Sequence, residues 1–175
     1  ALKLFRKSNP PLLEWLRSPL VYQEKCSVAA QLRHLTKEYF NPKSCLFHYF
    51  NMAKGNFRDY LQKDIVRVKK YFYVLRPILA CKWIEQKGTM APMEFQNLIE
   101  TLVEDKIVFE EIDKLVTRKT KGDELAKEPR ISILNNFLED RINYYEILLK
   151  NYQFENTPDT NKLDDLFRQS LIKAW

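Results

Sequence analysis

Val66-Arg67-Val68-Lys69-Lys70-Tyr71-Phe72-Tyr73-Val74-Leu75-Arg76-Pro77 is the stretch on which the reading of this chain turns. Wound on a helix at roughly 100° per residue, Ile65, Phe72, Leu75 and Leu79 fill one face. Val66, Val74, Cys81 and Ile84 cover much of the opposite one. A helix that is apolar nearly all round belongs in a protein interior. The spacing therefore predicts a central helix from Asp64 to about Gln86.

Lys69, Lys70 and Arg76 interrupt that apolar surface. A cation in a greasy environment needs a partner, because removing it from water is costly. Lys69, Tyr73 and Arg76 stand at i, i+4 and i+7 and so share a stripe. Two cations flanking a phenol form a claw for a phosphate chain, with arginine able to bind it bidentately. Pro77 frees the carbonyl of Tyr73 from its helical hydrogen bond. The alternative is that the chain's own Asp and Glu residues neutralise these cations.

On the N-terminal side, Asn41-Pro42 reads as an N-cap and first helical residue. The helix it opens is predicted to reach about Leu61, burying Leu46, Phe50, Ala53, Phe57 and Tyr60. Phe47, Asn51, Lys54 and Arg58 make a companion stripe, in which Lys54 and Arg58 are further phosphate candidates. A basic stripe at a core edge also suits plain solvation.

Farther out, Asn9 caps a short helix opening at Pro10-Pro11, and another runs from about Glu24 to Phe40. Thr89 to Pro92 begins a helix burying Phe95, Leu98, Ile99 and Leu102. Ile107 to Leu115 continues in helical register. Arg118 to Glu128 is a polar connection, Pro129 opens a long helix, and Thr157-Pro158 starts the last one. The expected fold is all-α: one domain, residues 1–175, built as a bundle of about seven or eight helices.

Composition narrows the function. Hydrophobic residues at 45% and charged residues at 30% permit a core. Three glycines, none adjacent, argue against a Walker or dinucleotide loop, which clusters glycine for backbone freedom. A net charge of +6 suits a nucleic acid, nucleotide or acidic partner. Three separated cysteines without a CxxC pair read as reduced, buried thiols of a cytoplasmic protein. No apolar run is long enough to span a membrane. His34 and His48 stand alone, which argues against a metal site.

The runs Asn41-Pro42-Lys43-Ser44, Met52 to Leu61 and Lys69 to Pro77 resemble the RlaP-type predicted nucleotidyltransferases. Trp83-Ile84-Glu85, Pro92-Met93-Glu94-Phe95, Gly122 to Leu125 and the opening Ser8 to Pro19 are similar too. That family resembles the DNA polymerase β-like superfamily. The resemblance implies transfer of a nucleoside monophosphate from a Mg-bound nucleoside triphosphate to an acceptor. It also implies an α/β catalytic palm with a Gly-Ser turn and paired acidic metal ligands, none of which this sequence carries. The chain, starting at Ala1, is therefore expected to be the C-terminal helical part of a longer enzyme, inactive without an N-terminal palm. Lys54, Arg58, Lys69, Lys70, Tyr73 and Arg76 are the candidates to touch triphosphate or acceptor. An RNA-binding module using Tyr71 or Tyr73 for stacking, and a purely structural helical unit, are the rival readings.

Overall fold

A computed structural model describes residues 1–24, 27–122, 126–154 and 158–174. Nine α-helices are present among them: α1 (Leu2–Arg6), α2 (Pro10–Leu16), α3 (Val28–Tyr39), α4 (Pro42–Tyr60), α5 (Phe72–Lys87), α6 (Phe95–Leu102), α7 (Lys106–Thr120), α8 (Ser132–Asn151) and α9 (Asn161–Ala174). The all-α expectation holds. Asn9 and Asn41 cap α2 and α4 as their sequences require, accepting from the Leu12 and Ser44 amides. Gly88 closes α5 at a positive φ of 61°, where a side chain would be strained.

The core centres on α5, packed between α4, α6 and α8. Phe72, Val74, Leu75, Ile78, Leu79, Cys81 and Ile84 are all buried, so the helix apolar on every side is the interior one. Tyr71, just ahead of it, is 0% exposed. Its hydroxyl donates to Asn135 Oδ1 (2.7 Å) and accepts from the Ile131 amide (2.7 Å). Asn135 Nδ2 in turn donates to the Leu61 carbonyl at 2.7 Å. One phenol thus ties α4, α5 and α8 together.

The predicted start of the central helix is wrong by a whole turn and more. Ile65–Arg67 is a strand, β1, and Val68–Lys70 a 3₁₀ turn. β1 pairs antiparallel with β2 (Lys127–Pro129), in the register Ile65↔Pro129, Val66↔Glu128 and Arg67↔Lys127. The Arg130 amide donates to the Asp64 carbonyl and the Val68 amide to the Ala126 carbonyl, extending the pairing at both ends. β-branched Ile65 and Val66 favour strand over helix once a partner is available. Pro129 therefore sits in a strand rather than opening α8, and α7 runs through Arg118 to Thr120.

Other differences are smaller. α3 begins at Val28, α6 at Phe95 and α9 at Asn161, each later than its sequence signals suggested. Tyr60, expected inside, is exposed. Cys45 and Cys81 are buried thiols; Cys26, Thr157 and Trp175 lie outside the described residues.

Candidate functional site

α4 positions one wall of the site. His48, Met52, Asn56 and Tyr60 recur every fourth residue and so align along one edge of the helix. The first three line a cleft of about 300 Å³ whose other walls are Phe72, Tyr73, Arg76 and Pro77 of α5 and Pro11 and Glu14 of α2. Tyr60 continues the row into a second depression of about 300 Å³, lined also by Asp59, Lys63, Arg67 and Lys70.

Arg76 lies in the first cleft already matched by acceptors. Its Nη2 donates to Glu14 Oε1 at 3.2 Å and its Nη1 to the Met93 carbonyl at 3.0 Å. The Tyr49 hydroxyl donates to the same Glu14 oxygen at 2.7 Å. Burial, with the Glu14 carboxylate beside it, holds the Tyr49 phenol far above its usual range. Arg76 is thus a wall-building residue whose charge Glu14 balances.

The second depression is different. Lys70 Nζ sits 3.5 Å from the Tyr60 ring centroid and 4.5 Å from that of Tyr73, a cation held between two aromatic rings. Arg67 faces Lys127 across the ladder, two like charges side by side. Among the described residues Lys63, Arg67, Lys69, Lys70 and Lys127 make no ion pair. The neighbouring Asp59 is taken by Arg58 at 2.8 Å. Positive charge here is concentrated and uncompensated.

The six residues selected from the sequence do not converge. Lys70 and Tyr73 meet as described, and Arg76 is close by in the adjoining cleft. Lys69 belongs to the 3₁₀ turn, not to one helical stripe with Tyr73 and Arg76. Lys54 and Arg58 stand about 160° around α4 from Asn56, on the far side of the helix. Lys54 pairs there with Glu146 of α8 at 2.8 Å. Of the two tyrosines considered for stacking, Tyr71 is sealed in the core, whereas Tyr73 is 47% exposed. In the sequence His48 reads only as an isolated histidine and Tyr60 as a core residue, and Asn56, Lys63, Arg67 and Lys127 carry no site expectation. The stripe of Phe47, Asn51, Lys54 and Arg58 lies one to two positions from the row that lines the cleft. Nothing local announced that Arg67 and Lys127 would be paired.

The family model for the RNA repair pathway DNA polymerase beta family, RlaP, matches residues 1–169. The chain belongs to the RlaP family. This RlaP-family chain is also 45% identical over 174 residues to the uncharacterized protein YcgL of Bacillus subtilis (strain 168). The match covers 99% of the chain and 67% of YcgL, so a third of that relative lies outside it. No solved structure matches. Among the described residues of this RlaP domain no three His, Cys, Asp or Glu side chains gather as a metal site, and no helix is long and apolar enough to cross a membrane.

Proposed function

We propose that this domain serves nucleotidyl transfer in RNA repair by gripping the phosphates of a nucleoside triphosphate or of an RNA acceptor. The observation that carries the reading is the cluster of Lys63, Arg67, Lys70 and Lys127, unpaired cations kept together at the cost of Arg67 facing Lys127. Like charges directly opposed in a ladder destabilise it, and a polyanion relieves that repulsion. The family's name, which refers to RNA repair and to a DNA polymerase beta, supports the same reading.

Of the residues first selected, Lys70 and Tyr73 are the proposed contacts, with Lys69 beside them. Arg76 and Lys54 have partners on other helices and act, in this reading, as scaffold, while Arg58 makes a surface pair with its neighbour Asp59. The Mg ions that the transfer implies find no ligand set among the described residues. This domain's own contribution, in this reading, is binding.

Titrating the protein with tripolyphosphate and with a short single-stranded RNA tests the reading. The double variant Arg67→Ala/Lys70→Ala should bind both about tenfold or more weakly, and the salt dependence of RNA binding should flatten as phosphate contacts are lost. Affinities and salt slopes equal to those of the parent protein would reject the groove.

A further inference from the structure

Lys63 differs from the other cations that line the depression beside Tyr60. It belongs to the short connection between α4 and β1, which is pinned on both sides of it. Asn135 donates to the Leu61 carbonyl at 2.7 Å, and the Arg130 amide to the Asp64 carbonyl at 2.8 Å. The backbone is therefore held at the rim, while the Lys63 side chain is exposed and makes no ion pair among the described residues. Lys70 has its ammonium between two rings, which favour the charged form. Arg67 keeps its charge at any ordinary pH. Lys54, Lys82, Lys114 and Lys162, elsewhere on the surface, each have a carboxylate within 3.0 Å. Lys63 thus combines an uncommitted amine with two permanent holders of anions beside it.

From this arrangement we infer that Lys63 is a site of acylation by acyl phosphates, and that the modification lowers the groove's affinity for polyanions. An acyl phosphate joins a dianionic phosphate to an electrophilic carbonyl. Arg67 and Lys70 collect the phosphate, which leaves the carbonyl at the Lys63 amine. The neutral amine bonds to the carbonyl carbon and the carbon–oxygen bond to phosphate breaks. Inorganic phosphate departs with the bonding pair, and the nitrogen releases its proton to water. Every lysine is neutral only as a minor fraction near pH 8, so recruitment of the reagent decides which one reacts. A lysine held by a carboxylate must first give up that pair, and an isolated one has no neighbour to gather the anion. Acylation removes one positive charge and with it one phosphate contact. This regulation rests on the reading of the groove as a phosphate site.

Incubation of the protein with acetyl phosphate, with site occupancy followed by mass spectrometry, tests the inference. Lys63 should acylate about tenfold faster than Lys87 and Lys173, the scale on which a charged cleft concentrates its counter-ion. Those two lysines are also exposed and without an ion pair among the described residues, but lie outside the groove. High salt, saturating tripolyphosphate and Arg67→Ala should each bring the ratio towards one. N-acetoxysuccinimide, an uncharged acyl donor, should show no such preference. Lys63→Gln, which resembles the neutral product, should lower the salt slope of single-stranded RNA binding by about one. Calorimetric binding of tripolyphosphate without a Lys63 preference overturns the acylation site and leaves the phosphate groove standing. A preference that persists with the uncharged donor or under tripolyphosphate overturns recruitment by the groove, and an unchanged salt slope overturns the regulation. Absence of tripolyphosphate binding overturns groove and acylation site together.

Discussion

Arg67 and Lys127 stand directly opposite one another in the β1–β2 ladder, two exposed cations in a register that brings them side by side. Their repulsion is tolerated in a sheet only three residues long, where each pair weighs heavily. Lys127→Glu should therefore stabilise the protein by about 0.5 kcal/mol, the scale of a cross-strand ion pair. The same change should weaken RNA or triphosphate binding. Urea denaturation and a binding titration on one preparation check both signs; a loss of stability together with unchanged binding would show that the pair has neither effect.

Arg76 bridges parts of the chain far apart in sequence, reaching Glu14 of α2 and the carbonyl of Met93 ahead of α6. The sequence suggested a ligand-binding arginine. With these partners, Arg76→Ala leaves the Glu14 charge, still hydrogen-bonded by Tyr49, without its counter-ion and the Met93 carbonyl without its donor in a half-buried cleft, and should cost about 1–3 kcal/mol. A chemical-denaturation midpoint identical to that of the parent protein would contradict this.

Tyr71 is the hub of a hydrogen-bond network in the core. Tyr71→Phe keeps the ring and strands Asn135 Oδ1 and the Ile131 amide, a penalty of about 2 kcal/mol. Because the side chain is fully buried, RNA affinity at a temperature where the variant is folded should not change. Weakened RNA binding at full foldedness would return Tyr71 to the list of stacking residues.

Alkaline pH should loosen the core. Burial first, and the Glu14 carboxylate second, push the Cys45 thiol from its free value of 9.0 up to about 12. Cys81 is raised further, mainly by burial, and the Tyr49 and Tyr145 phenols rise well above 10.0 for the same leading reason. Groups that keep their protons longer when folded contribute stability that is complete below the unfolded pKa and lost above it. Unfolding free energy should thus be flat up to about pH 9 and then fall, by up to about 1.4 kcal/mol per pH unit for each such group, as pH climbs towards 12. In a Cys26→Ser background, the two buried thiols should also resist a thiol reagent at pH 8 until denaturant is added. Rapid native labelling, or stability that rises above pH 9, would refute the burial argument.

The helices were legible because their signals are local. Asn9-Pro10 and Asn41-Pro42 each carry a cap and a first helical residue within two positions. The apolar residues around α5 mark it as the interior helix. The site was legible only in part. Lys70 and Tyr73 were marked by their setting in an apolar run. Whether a given cation is free or neutralised depends on carboxylates brought from elsewhere, as Glu14 reaches Arg76 and Glu146 reaches Lys54.

Sequence alone therefore determined the helical class, the central position of α5 and the concentration of positive charge near its start, since periodicity, capping and composition act over a few residues. Tertiary structure decided that Ile65–Arg67 would be a strand, because its partner at Lys127–Pro129 lies some sixty residues away. It also decided which cations remain uncompensated, because charge balance is settled by neighbours in space rather than by neighbours in the chain.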